Sequence, residues 1–280
     1  MASAVAYYLR RRLPTAAELP HSDETPVDNQ LQDDIPQLLK AMLQRLWSDR
    51  SDWFFAVDMG VYYNPDEPAI VPDAFLAIGV DRFRDVNGRL SYVLWEEENV
   101  MPLLALEVVS QKYNGEYEQK LEDYQNLGVL YYVIYNPRGG QGRRFRQRSV
   151  LEVYKQIQGR YVLQTGSPVW MPELELGIGH ERGINGGWER DWLYWYDAFG
   201  NRYATNEEIA RQEREQRLAA ETIAAQEQEQ RLAAETIAAQ EQEQRLAAET
   251  IATQEREQRR LAEERLAELE ARLKAIEENT

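Results

Sequence analysis

Two stretches carry an acid where a core strand is expected. Residues 70–79 read IVPDAFLAIG and residues 103–112 read LLALEVVSQK, setting Asp73 and Glu107 among apolar neighbours. A carboxylate in such a place is expensive to bury unless a cation or a set of hydrogen-bond donors meets it. Two of them on neighbouring strands point to one hard cation shared between oxygen ligands. Side chains alternate along a strand, so Glu107 and Val109 share one face and Leu106, Val108 and Ser110 the other. A third acid, Asp58 in FAVDMGVYY, is also expected on a strand. It is a candidate further ligand, though a hydrogen-bonded structural aspartate is the commoner role for such a residue.

Two lysines follow Glu107. Lys112 sits in the polar turn after the strand, whereas Lys120 falls in NGEYEQKLEDYQNLG (114–128). That stretch predicts a helix capped by Asn114 and ended by Gly128. Tyr113, Tyr117, Leu121 and Tyr124 recur at helical spacing as its buried stripe, and Lys120 borders that stripe. If the helix packs on the face carrying Glu107, the Lys120 ammonium can reach the acid. Spacing alone equally allows an ordinary Glu116–Lys120 ion pair.

The elements that must position these groups read as α/β. DDIPQLLKAMLQRLWSDR (33–50) is an amphipathic helix, with Asp34 as the expected N-cap and Pro36 in the first turn. Strands are expected over 53–64, 69–80, 102–110 and 129–137, the last stopped by Asn136-Pro137. A hairpin is expected over 149–164, turning at Gln158-Gly159, and a small aromatic one over 191–205, turning at Gly200-Asn201. This order predicts a mixed sheet flanked by helices.

The chain then changes character. All seven Trp precede Thr205, and no Gly or Pro follows Gly200. EQRLAAETIAAQEQ occurs at 215–228 and 229–242 and recurs, slightly changed, at 243–256. Fourteen residues are two heptads, so a helical, coiled-coil-like tail over 206–280 is expected, for self-association or partner binding. Its register is imperfect: Leu218, Leu232 and Leu246 alternate with Ala225 and Ala239, and only Leu266, Leu269, Leu273 and Ile276 have clean spacing. A single solvated helix is the other reading.

The formal net charge of −16 argues against non-specific coating of nucleic acid. The absence of cysteine excludes disulfides, thiolate zinc and cysteine nucleophiles. With His21 and His180 as the only histidines, a histidine-rich metal site is excluded too. The start, MASAVAYYLRRRLP, has the wrong order for a signal peptide, and no apolar run approaches the roughly 20 residues of a membrane span. A cytoplasmic protein without a membrane partner is expected. One basic segment stands out, GGQGRRFRQRS (139–149), where Arg143, Arg144, Arg146 and Arg148 surround Phe145. It suits phosphate contacts, or is simply a solvated loop.

VPD on one strand, LEVVS on a second, a helix YEQKLEDYQNLGV and a strand YYVIYNP together resemble the bacterial family described as putative restriction endonucleases, formerly a domain of unknown function. The resemblance covers roughly residues 24–175 and implies a PD-(D/E)XK nuclease core. In such nucleases a lysine usually stands two residues after the Glu, a position that is Val109 here. In this family it has moved to the helix, which carries over to Lys120. The resemblance implies that Asp73, Glu107 and a backbone carbonyl at Val108 hold Mg²⁺, or another divalent cation such as Mn²⁺. It also implies that Lys120 assists hydrolysis of DNA phosphodiester bonds. Gln111 and Asn136 depart from the pattern, where proline and aspartate are usual. The expected organisation is an N-terminal extension (1–23), a nuclease-like domain (24–185), an aromatic transition (186–205) and the tail. The alternative is a catalytically silent nuclease-like module working through its tail. An RNA or nucleotide-sized phosphate ester is a third possibility for the substrate.

Overall fold

A computed structural model describes residues 12–20, 29–84, 86–110 and 113–277, with side chains up to Arg272. It divides into two compact units, one reaching Ala210 and one beginning at Arg211.

The first unit is built on a six-stranded mixed sheet in the order β1-β3-β5-β6-β7-β8. Its strands are β1 (Trp53–Val57), β3 (Ala74–Ile78), β5 (Leu104–Val108), β6 (Tyr131–Tyr135), β7 (Leu151–Ile157) and β8 (Arg160–Leu163). Only β5 and β6 run parallel; the other neighbours are antiparallel. The β5–β6 crossover is made by helix α2 (Gln119–Leu127), and a short parallel pair, β2 (Val61–Tyr62) with β4 (Tyr92–Val93), lies apart from the main sheet.

Strict alternation sorts the core. Leu104, Leu106 and Val108 of β5, with Tyr131, Val133 and Tyr135 of β6, face a core built from helix α1 (Leu31–Leu46) and an aromatic second sheet. Ala105, Val109, Tyr132 and Ile134 face the other way, onto Tyr117, Tyr124 and Phe145. Glu107 therefore points to the α2 side, as the alternation predicts.

The second sheet is antiparallel, β11 (Trp188–Tyr196), β10 (Leu176–Asn185) and β9 (Val169–Met171). Here the expectation needs correction. The main hairpin joins β10 to β11 across Gly186-Gly187, both at positive φ, and the expected 191–205 hairpin survives only as a Tyr196–Arg202 bridge. Glycines break the apolar alternation of β10, which hid the strand. Gly183 leaves room for the Tyr194 hydroxyl, which a Cβ there would displace. The 149–164 hairpin turns at Gln158-Gly159 as read.

Both helix starts also differ from expectation. α1 begins three residues before Asp34, because Asn29 Oδ1 accepts the Leu31 N–H at 2.8 Å. Asp34 is then a first-turn acid, and Pro36 lies one turn deeper than expected. α2 begins at Gln119, not beside Asn114; Gly115, at positive φ, makes a preceding turn and accepts the Lys120 N–H. Gly128 ends α2 in the left-handed conformation.

The second unit is the rest of helix α4 (Asn206–Glu277). Leu218, Ile223, Leu232, Ile237, Leu246, Ile251, Leu261, Leu266 and Leu269 are all more than half exposed. The side chains of Leu273 and Ile276 lie outside the described residues. In each repeat a threonine, Thr222, Thr236 or Thr250, turns its hydroxyl back to the carbonyl four residues before it. Pairs such as Arg260–Glu264 (3.0 Å) add weak support along the surface. No helix among the described residues is long and apolar enough to cross a membrane.

Candidate active site

Glu107 is 1% exposed, on a central strand, and both its oxygens are taken by α2. Lys120 Nζ donates to Oε2 at 2.7 Å, and the Tyr124 hydroxyl donates to Oε1 at 2.7 Å. Positions four apart on a helix share a face, so one helical turn supplies both donors. The ion pair of Lys120 is thus with Glu107 and not with Glu116. Glu116 is itself buried and accepts the Asn114 N–H at 3.0 Å.

Asp73 immediately precedes β3, next to the end of β5. Its Oδ2 accepts the Val108 N–H at 2.6 Å, and its Oδ1 accepts from Gln32 Nε2 at 3.2 Å. The early start of α1 is what brings Gln32 here. Sequence reasoning missed Gln32, which carries no signal of its own. It read Tyr124 only as a core residue, although the i,i+4 spacing from Lys120 marked it.

The electrostatics follow from crowding. Burial, then the charge of Glu107, holds the Asp73 carboxyl well above the usual carboxylate range, against the Val108 hydrogen bond, Lys120 and Gln32. Burial also raises Glu107, although Lys120 and Tyr124 favour its ionised form. Burial pulls the Lys120 ammonium down, but the charge and hydrogen bond of Glu107 outweigh it and leave the group raised. Tyr124 is pushed far up, by burial and then by Glu107, so its hydroxyl remains a donor.

Two carboxylates near enough to feel each other's charge, with one ammonium paired to Glu107, leave a local excess of negative charge. Each oxygen has spent one lone pair on a donor and keeps another. Such a hard-oxygen pair fits a divalent cation of the Mg²⁺ type, which retains waters and needs few protein ligands. No larger acidic cage exists: among the described residues no group of three or more His, Cys, Asp or Glu is placed to hold a metal ion. Asp58 lies beyond the end of β1, exposed and with φ 50°, its amide donating to the Asp73 carbonyl. β1 stops at Val57, so the expectation of Asp58 on a strand fails. Gln111 and Lys112 lie outside the described residues.

Residues 21–184 match the model of the Uma2 family, described as putative restriction endonuclease, which is 164 of the 280 residues. The chain belongs to this family. The Uma2 match supports nuclease activity at the level of the family. A search of curated proteins found no match. In this Uma2 chain, Asn136 is fully buried and donates from Nδ2 to the Tyr117 hydroxyl at 3.1 Å. Arg143, Arg144, Arg146 and Arg148 lie around a short helical turn, α3 (Gly142–Phe145), where a loop was expected.

Proposed function

We propose that this Uma2 protein is a divalent-metal-dependent endonuclease that hydrolyses DNA phosphodiester bonds at Asp73, Glu107 and Lys120. The observation that carries the reading is the Lys120–Glu107 ion pair beside Asp73, formed by residues far apart in sequence. Asp73 and Glu107 would hold the cation, with the Val108 carbonyl as a further oxygen ligand; Mg²⁺ and Mn²⁺ both suit this set. When bound, the cation supplies charge neutralisation at phosphate and a nucleophilic water at neutral pH. Lys120 keeps protons beyond the one given to Glu107, and they orient the attacking water or stabilise charge developing on the phosphate. Tyr124 and Gln32 hold the two carboxylates in place. Arg143, Arg144, Arg146 and Arg148 contact the nucleic acid.

The test is a cleavage assay on plasmid, single-stranded DNA and RNA with Mg²⁺ or Mn²⁺, against Glu107→Ala. Cleavage of DNA that requires the metal and is lost in the variant supports the reading. Equal cleavage by Glu107→Ala overturns it, because the signal would then come from elsewhere.

A second reading rests on the nine exposed Leu and Ile side chains of the tail. In it the tail binds a partner or a second copy, and the nuclease-like unit is a silent scaffold. Absence of metal-dependent cleavage together with concentration-dependent association would favour it.

A further inference from the structure

The arginine-rich segment is a built surface. Residues 137–149 contain five arginines and no acid. A Cβ on Gly139 would lie 2.4 Å from the Val150 nitrogen, so its backbone closes tightly on the far end of the segment. The Gly140 N–H reaches the carbonyls of both Phe145 and Arg148, and Phe145 is buried among Tyr117 and Tyr124. Arg138 Nη2 donates to the Ser110 carbonyl at 2.7 Å, tying the segment down three residues beyond Glu107.

On this base stands a column of two stacked rings between two guanidinium groups. The Arg144 guanidinium lies 4.3 Å over the Tyr113 ring. Tyr113 stacks on Tyr117 with ring centroids 6.1 Å apart, and Arg148 lies 4.0 Å over Tyr117. Arg143, Arg144 and Arg146 are exposed. Among the described residues only Arg148 of the five arginines pairs with a carboxylate, Glu152 at 3.5 Å. The rest of residues 1–204 is acidic on balance. Residues 1–204 hold 29 acids and 21 bases; without these five arginines the balance is 16 bases to 29 acids, a net of −13.

A narrow cationic strip on a protein of net negative charge discriminates between forms of nucleic acid. A duplex is stiff and carries a phosphate charge about every 1.7 Å along its axis, so the part of it that runs past the strip gains no cationic partner there and meets a protein that is acidic on balance. A single strand bends to follow the strip, and its bases offer π-faces that stack on aromatic rings or guanidinium planes. We propose that the Arg144–Tyr113–Tyr117–Arg148 column, flanked by Arg143 and Arg146, is a clamp for single-stranded DNA beside Asp73, Glu107 and Lys120. A base stacks on the outer face of Arg144, and Arg143 and Arg146 take the neighbouring phosphates. This deepens the nuclease reading and rests on it for the choice of DNA.

The full-length protein is titrated in EDTA, where no cleavage occurs, against a labelled single-stranded DNA of about 16 nucleotides and the duplex of the same sequence. Fluorescence anisotropy should give at least roughly tenfold tighter binding of the single strand. Arg144→Ala should weaken it by about tenfold, the loss of one stacking contact. The double variant Arg143→Ala/Arg146→Ala should lower the salt slope by about 1.4. Equal or tighter binding of duplex, or unchanged binding by Arg144→Ala, overturns the clamp. Tighter binding of the matching RNA overturns the assignment to DNA. The two readings fail separately: single-strand binding without metal-dependent cleavage removes the nuclease and leaves the clamp. Glu107-dependent cleavage without single-strand preference removes only the clamp.

Discussion

Lys120 Nζ lies 2.7 Å from Glu107 Oε2, joining the first turn of α2 to the middle of the sheet. Tyr124, one turn further on, fixes the other oxygen of the same carboxylate. The helix thus gives the lysine a defined direction, although no lysine is available two residues after Glu107.

Lys120→Ala should therefore reduce cleavage by about a hundredfold or more, the usual effect of removing one electrostatic stabiliser of a transition state. Lys112→Ala should change the rate little. Removing Lys120 leaves Glu107 buried beside Asp73, so urea denaturation should report a loss of up to about 3 kcal/mol, with the circular dichroism spectrum retained. Full activity in Lys120→Ala with loss in Lys112→Ala would reverse the assignment.

Asp73→Asn separates metal binding from folding. The ionised Asp73 is disfavoured by burial and by Glu107, so in EDTA at neutral pH the neutral amide should be no less stable than wild type. In Mg²⁺ the wild type should gain thermal stability, about 2.7 kcal/mol at a hundredfold excess over Kd, and Asp73→Asn should gain almost none. An equal Mg²⁺ increment in both proteins would place the cation elsewhere.

The parts legible in the sequence were those set by strict periods. Alternation put Glu107 on the α2 face, and the tyrosine stripe put Lys120 at its border. What escaped was set by single contacts. Asn29 starts α1 about one turn early and so delivers Gln32 to Asp73. Glycines that make room for Tyr194, Tyr196 and Pro168 erase the pattern of β10. Asp58 looked like a strand residue, because nothing in FAVDMGVYY announces that the chain turns left-handed there.

Glu97 offers a test independent of the site. It is buried, and Arg89 and Arg84 both reach its Oε1 at 2.8 Å. Burial pushes its carboxyl up, but these hydrogen bonds and charges outweigh that and leave it below the usual range. A depressed carboxyl contributes stability that is present above the ordinary glutamate value and disappears as pH falls through the lowered one. Glu97→Gln should cost about 3 kcal/mol at pH 7, since it strands the buried Arg89. The gap to wild type should narrow steadily below about pH 4.5. A gap independent of pH would mean that the variant acts through packing and not through charge.

The start of the long helix dictates where it can be cut. Thr205 and Glu208 cap it reciprocally: the Glu208 N–H donates to Thr205 Oγ1 at 3.1 Å, and the Thr205 N–H to Glu208 Oε2 at 2.8 Å. Arg202 grips the same glutamate with both terminal nitrogens, Arg45 Nε donates to Asn206 Oδ1, and Gly186 N–H donates to Glu207. These contacts belong to the first unit, which a composition boundary at 205/206 would split. A chain ending at Ala210 should fold with nearly full-length stability and keep its response to Mg²⁺. A chain ending at Thr205 should lose roughly 1–3 kcal/mol, for the cap and the hydrogen bonds together. Beyond Ala210 the exposed leucines and isoleucines have nothing to pack on within the helix itself, and each repeat presents little apolar area. Self-association through the tail should therefore be weak. Sedimentation of the full-length and Ala210-terminated chains decides this. Association only in the full-length protein, rising with concentration, is the expected result, and two monomers at high concentration would leave the tail a solvated single helix.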